Sequence, residues 1–338
     1  MKRKVWSFLL IVALQCLLGV GAAAQSANCT SNAIWYFPDA IPTGWVCTMP
    51  GQGPYSMFCT VPSGNCPPVV WCPTCGKFVP VSGAPINLTN GNTYIQQRDV
   101  AVPGLGGGLN LQRTWNSIWP AAEPGPQSGL FGPNWRSTYE ESISPGTGNA
   151  VGYQVYAQSD GGIWYFGGTG STLTLSSPAN VTATLTHNST QWTLTFQSGE
   201  QRIFSFTSGL LTAIVDRNGN TTNLTYDTNG TRLITVTDPV SRHLNFTYGT
   251  GSAAGRVITV ASDVGLTLSY SYDTQGRLIQ VTKPDLNTLN FTYNTQSLIT
   301  AVTDTSGKTL EAHTYDTSGR GLTSSRANGV DAVTISYH

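Results

Sequence analysis

From residue 210 to its last residue the chain restates one phrase about every 22 residues, and that period limits the fold more than any single motif does. A tyrosine preceded by Thr or Ser closes the phrase six times, at Tyr226, Tyr248, Tyr272, Tyr293, Tyr315 and Tyr337, with gaps of 22, 24, 21, 22 and 22 residues. Two and four places before these tyrosines the side chain is usually apolar: Leu224, Leu244 and Phe246, Leu268 and Tyr270, Leu289 and Phe291, Val333 and Ile335. Asn, Ser or Thr fills the places between. A period of two is the mark of a strand with one buried face.

Each phrase also has a first half, seen in Arg232-Leu-Ile-Thr-Val-Thr-Asp238, Arg277-Leu-Ile-Gln-Val-Thr282 and Leu298-Ile-Thr-Ala-Val-Thr-Asp304, and it too is β-branched and alternating. Turn formers separate the halves, such as Asp216-Arg-Asn-Gly219 and Asp304-Thr-Ser-Gly307. Between phrases, Asp-Thr-x-Gly recurs at 227–230, 273–276 and 316–319. Gly accepts the positive φ of a tight hairpin, and Asp closes an Asx-turn on its own backbone. One phrase is therefore one β-hairpin, with strands of about eight residues. A lone hairpin cannot bury its apolar face, so neighbouring hairpins must stack into one long sheet. The predicted fold class is all-β.

Charged residues make up 10% of the 338, with 17 basic against 17 acidic, alongside 37 Gly and 19 Pro. The N-terminus reads as a secretory signal: Lys2, Arg3 and Lys4, an apolar run from Val5 to Val20, and cleavage after Ala24 in Ala22-Ala23-Ala24. The run is broken by Ser7, Gln15 and Gly19 and is short for a membrane span. Without the leader the balance is 14 basic to 17 acidic residues, and no basic patch points to nucleic acid. The sequence predicts a secreted or cell-surface protein with no membrane span after signal removal.

Cys16 leaves with the leader. The other six cysteines, Cys29, Cys47, Cys59, Cys66, Cys72 and Cys75, crowd into a Pro- and Gly-rich stretch with little periodicity. An even count in a secreted segment reads as disulfides that replace a core this stretch cannot build. Six cysteines allow about fifteen pairings, among which the sequence does not choose. The alternative, a zinc or redox role for Cys72-Pro-Thr-Cys75, lacks a partner pair of the usual spacing and a nearby His.

Residues 83–143 carry a second block: Gly83-Ala-Pro-Ile-Asn-Leu-Thr-Asn-Gly-Asn-Thr-Tyr94, Asp99-Val-Ala-Val-Pro-Gly104, Leu109-Asn-Leu-Gln-Arg-Thr-Trp-Asn116 and Phe131-Gly-Pro-Asn-Trp-Arg136. These are short strands between Gly/Pro turns, with Trp115 and Trp135 as core anchors. The block resembles the N-terminal domain of unknown function that precedes the repeats of Rhs proteins. The phrases Tyr272-Asp273-Thr-Gln-Gly276-Arg277 and Tyr315-Asp316-Thr-Ser-Gly319-Arg320 resemble the YD repeat of that family. The division that follows is a signal peptide over 1–24, a Cys-rich disulfide module over 25–80, an Rhs-associated β domain over 81–205, and about five and a half YD repeats over 206–338.

The resemblance implies a curved or spiral sheet that builds a hollow shell. In Rhs and insecticidal toxin-complex proteins such a shell encloses a variable C-terminal toxin, and in teneurins a related barrel supports adhesion. The family's core closes with an Asp-Pro-x-Gly self-cleavage motif; here Asp238-Pro239 is followed by Val240-Ser241 in a repeat turn. The chain stops at His338 inside a sixth hairpin, which leads to the expectation of a fragment or truncated frame, with further YD repeats and a toxin cargo beyond it.

Catalytic constellations are scarce. His187, His243, His313 and His338 are scattered, and His313 takes an apolar strand position. Glu140 and Glu141 are adjacent, so on a strand they face opposite sides, and the expectation is a solvated strand end. Asp216-x-Asn218-x-Asn220 with Asp227 mimics a calcium loop, but Thr221 stands where Gly is required. Asp160-Gly-Gly-Ile-Trp164 reads as a turn entering a strand, and Gly104-Leu-Gly-Gly-Gly108 as a loop lacking the dinucleotide fingerprint. No catalytic, cofactor or metal residue is assigned. The functional expectation is a non-enzymatic secreted or surface scaffold, part of an Rhs-type shell. The alternative is a carbohydrate-binding or adhesive module, given the aromatic content and low charge. A glycosidase would need paired carboxylates that the sequence does not offer.

Overall fold

The computed structural model describes residues 86–118, 128–178 and 181–337 except Thr89, and the backbone of the strands Ala33–Tyr36, Val46–Thr48, Ser56–Thr60 and Val81–Ser82. The leader and Cys29, Cys66, Cys72 and Cys75 lie outside the described residues. The chain divides into two compact units, Met1–Pro68 and Val69–His338.

In the first unit Ser56–Thr60 is the centre of a three-stranded antiparallel sheet, flanked by Ala33–Tyr36 and Val46–Thr48. The backbone register sets Cys47 directly opposite Cys59.

The second unit holds a 19-stranded sheet in strict sequence order, from Ser142–Pro145 to Val333–Thr334, each strand antiparallel to the next. It is open, since its first and last strands do not pair. The hairpin pattern thus extends well upstream of residue 206. Alternation works as the sequence requires: in Thr221–Tyr226 the side chains of Thr222 and Leu224 are buried and those of Asn223 and Thr225 exposed. Repeat strands before the last, two-residue one run five to seven residues, shorter than the eight expected, because Asx-turns and bulges take the strand ends. The register shifts by one residue just before Tyr226, Tyr248, Tyr272, Tyr293 and Tyr315. A bulge of this kind strengthens the local twist, so every repeat turns the sheet in the same way.

A smaller sheet of Tyr94–Val102, Leu109–Asn116 and Trp135–Ser137 supplies the other half of the core. Leu109, Leu111, Trp115, Phe131 and Trp135 are fully buried in one continuous cluster with Leu244, Phe246, Val260, Tyr270 and Val281 of the repeats. Trp115 and Trp135 are the anchors the sequence suggested. At the head of the large sheet, Ile143 N donates to Gly209 O at 2.9 Å. Gly209 has φ 68°, and a Cβ there would stand 1.9 Å from the Ile143 carbonyl oxygen, so this seam requires glycine.

Candidate functional site

The repeat phrase is a hydrogen-bonding unit. Each closing tyrosine donates its hydroxyl to a carbonyl near the start of its own repeat: Tyr226 to Leu211 (2.7 Å), Tyr248 to Leu233 (2.9 Å), Tyr272 to Val257 (2.6 Å), Tyr293 to Leu278 (2.7 Å), Tyr315 to Ile299 (2.6 Å) and Tyr337 to Gly321 (2.7 Å). Each accepting carbonyl belongs to the residue just before the extra one in the bulged first strand of the repeat, so the phenol bonds the backbone at the bulge. Burial pushes all six phenols above their ordinary pKa.

The residues after the tyrosine complete the unit. Asp273 Oδ1 accepts the backbone N–H groups of Gln275 and Arg277, both at 2.9 Å, while Arg277 Nε donates to Asp273 Oδ2 at 2.6 Å. Gly276 supplies the positive φ, 72°, that closes the turn. The Arg277 guanidinium then lies 4.8 Å from the ring centre of Tyr293, which closes the phrase that Arg277 opens, and Arg320 lies 4.2 Å from that of Tyr337. In three repeats, with Arg232 on Tyr248 as the third pair, the arginine of the opening turn is thus clamped on the tyrosine that closes the phrase.

The block before the repeats packs one aromatic ring against each of four successive repeats. Tyr139 packs on Phe246 (6.4 Å between ring centres), Phe131 on Tyr270 (4.8 Å), Trp135 on Phe291 (5.4 Å) and Trp115 on Tyr315 (6.4 Å). At the centre Arg113 is fully buried and grips Asp99, with Nη2–Oδ1 at 2.9 Å and a second bond from Nε to Oδ2. Tyr270 donates its hydroxyl to Asp99 Oδ2 at 2.8 Å, and the guanidinium also faces the rings of Trp135, Phe131 and Tyr270 at 4.6, 5.5 and 5.5 Å. Asp99 thereby pairs Nε and Nη2 of the buried guanidinium, while Nη1 has no hydrogen-bond partner.

Residues 83–175 match the family described as the domain of unknown function DUF6531, and residues 211–323 match the family described as the teneurin YD-shell. The two matches are disjoint, in this order, and together take in more than half of the chain. The chain is an Rhs/YD-repeat protein. Among curated relatives it is similar to the tRNA nuclease WapA of Bacillus subtilis (strain 168) and the tRNA3(Ser)-specific nuclease WapA of Bacillus spizizenii, each 26% identical over 151 residues. The match covers 45% of this chain and 6% of each relative. Among solved structures it is similar to the complexes TcdB2-TccC3-Cdc42 (16% identity) and TcdB2-TccC3-TEV (17%), over 71% of this chain and 12% of theirs, with a TM-score of 0.29 for both.

Within this Rhs/YD-repeat chain the paired glutamates need correcting. Thr138 and Tyr139 form a turn beyond the strand Trp135–Ser137, Glu140 and Glu141 follow it outside any strand, and both carboxyls are buried instead of solvated. Glu141 Oε2 accepts from Tyr156 Oη at 2.7 Å and Arg202 Nε at 3.0 Å. Glu140 Oε1 accepts from Leu130 N at 2.6 Å. The two diverge, so they do not form a paired acid and base. Burial raises both carboxyls above the ordinary range.

The other candidates are occupied by structure. Asp216 accepts from the N–H groups of Asn218 and Asn220 (both 2.8 Å), which makes the calcium-like stretch a repeat turn. Asp160 Oδ1 accepts from Gly162 N at 2.8 Å, the turn expected there. His313 is buried on its strand, and His243 Nδ1 pairs with Asp263 Oδ2 at 2.8 Å on the surface. Among the described residues no group of three or more His, Cys, Asp or Glu is placed to hold a metal ion. Among them, too, no helix is long and apolar enough to cross a membrane.

Sequence reasoning passed over Asp99 and Arg113, the most deeply committed charges in the molecule. A signal for Arg113 was present: it shares its parity with Leu109, Leu111 and Trp115, hence with the buried face of that strand. Glu141, Tyr156 and Arg202 meet only through tertiary packing and leave no such trace.

Proposed function

We propose that this Rhs-type shell segment is a non-enzymatic scaffold, exported through its leader, that helps to enclose a toxin carried C-terminal to the repeats. The observation that carries this reading is the commitment of the repeats' inner face. Its aromatic and charged side chains are engaged in packing and in tyrosine, Asp–Arg and Glu–Arg–Tyr bonds, the chemistry of a wall. The curated relatives are named as tRNA nucleases and are far longer than the matched stretch, which supports the cargo half of the proposal.

The test uses the product of the whole reading frame purified from its natural source. Protease treatment of the native particle should leave a C-terminal polypeptide intact until the sheet is unfolded. A cargo region digested at equal rates before and after unfolding, or a frame that encodes none, would refute enclosure.

One observation favours the alternative of a carbohydrate-binding or adhesive module. Phe206 is 40% exposed and its ring is stacked on Trp192 (5.5 Å, 23°) and His187 (5.4 Å, 28°), a pre-set face of the kind that sugars stack on. Binding to a glycan array that disappears in Phe206→Ala would support it, and silence across the array would remove it.

A further inference from the structure

Glu140 is a buried carboxyl set into the joint between the two halves of the core. Its Oε1 accepts from Leu130 N at 2.6 Å, and its Oε2 is buried without a hydrogen-bond partner. Leu130 O in turn accepts from Val257 N at 2.8 Å, and Val257 O accepts from the Tyr272 hydroxyl at 2.6 Å. This line of bonds straps residues 128–133 onto the repeats. The strap lies flush: a Cβ on Gly132 would come within 2.9 Å of the Gly276 carbonyl oxygen.

We propose that Glu140 is a proton-operated latch: with the proton on Oε2 the strap stays seated on the repeats, and loss of that proton loosens it. A protonated carboxyl is neutral, as its surroundings demand. The ionised form would set an anion with one unpartnered oxygen in a buried site. The groups that face it are Arg136 from its own segment and the phenols of Tyr226, Tyr248 and Tyr272 from three successive repeats. Arg136 favours the anion; the three phenols are neutral and give their hydroxyls to the carbonyls of Leu211, Leu233 and Val257, so none donates to it. Glu141 points away to Arg202 and Tyr156.

Desolvation raises the Glu140 carboxyl above the ordinary glutamate range, outweighing the favourable effects of Arg136 and of the Leu130 N–H. A pKa raised by folding gives stability that is complete below the unfolded value and is lost as pH rises through the folded value. The strap is therefore tightest in acid and loosens as the medium becomes more alkaline.

Hydrogen exchange of the full chain, followed by mass spectrometry from about pH 5 to about pH 8 and corrected for intrinsic rates, tests this. The wild type should lose protection at the amides of Leu130 and Val257 with rising pH, by up to about tenfold per pH unit, the limit for one proton. Glu140→Gln, which keeps the Oε1 acceptor without the titration, should show a flat profile. A flat wild-type profile, or the same slope in both proteins, overturns the latch. Should Glu140→Gln fail to fold, the wild-type carboxyl resonance of Glu140 decides. A midpoint above the ordinary glutamate value supports the latch, and a midpoint at that value overturns it.

Discussion

Tyr270 donates its hydroxyl to Asp99 Oδ2 at 2.8 Å, joining the repeats to a strand 171 residues earlier in the chain. The carboxylate it meets is already held by Arg113, so three elements converge on one buried charge. Breaking a buried ion pair from one side leaves an uncompensated charge, at a loss of about 3–5 kcal/mol. Asp99→Ala should lower stability by that amount, measured as a drop in the urea midpoint. Tyr270→Phe, which removes one hydrogen bond to a charged group, should lower it by about 1.5–3 kcal/mol. Equal small effects for both would mean that the charge is solvated.

Leu286 occupies a slot that neighbouring hairpins give to glycine. Gly219, Gly265 and Gly307 have φ of 84°, 85° and 82° at the same turn position; Leu286 has 65° and is 78% exposed. Leucine is strained there and buries little in return. Leu286→Gly should raise stability by up to about 1 kcal/mol, and thermal melting checks it. A lower melting temperature would show that the side chain makes a contact worth more than the strain.

The repeat turns set an acid limit on stability. Hydrogen bonds from the Ser306 hydroxyl and from the N–H groups of Ser306 and Lys308 hold Asp304 below its ordinary pKa. A pKa lowered by folding gives stability that is present above the unfolded value and is lost as pH falls through the folded one. The stability difference between wild type and Asp304→Ala should be full at neutral pH and shrink below about pH 4. A difference that holds constant in acid would contradict this sign, which is opposite to that of Glu140.

The cysteine-rich stretch makes a separate prediction. Opposing residues of an antiparallel ladder have Cα atoms about 4.5–5.5 Å apart, within the reach of a disulfide. The register of Cys47 with Cys59 therefore predicts that the protein kept under oxidising conditions yields a peptide linking these two on non-reducing digestion. Free thiols at both positions would contradict it.

The hairpin repeat was legible because period-two alternation, Asx turns and glycine slots are local and recur many times. Tyr272, Asp273, Gly276 and Arg277 announced a turn, although the clamp of Arg277 on Tyr293 needed coordinates. Trp115 and Trp135 were recognisable as anchors from size and setting. The charges buried between the sheets were not: Asp99, Arg113, Glu140 and Glu141 acquire partners only when remote segments meet, and a polar residue in a short strand reads as exposed. The solvated reading of Glu140 and Glu141 failed because the chain turns inward just beyond Ser137, where no periodicity remains to indicate a face.

The central claim is that the block before the repeats and the repeats themselves form one wall with one core. Native-state hydrogen exchange across a denaturant series tests it most directly, comparing amides in Leu109–Asn116 with those in Leu244, Val260 and Val281. The account predicts that both sets open together with the same free energy and the same denaturant dependence. Opening of Leu109–Asn116 at much lower denaturant, while the repeat strands remain protected, would contradict it.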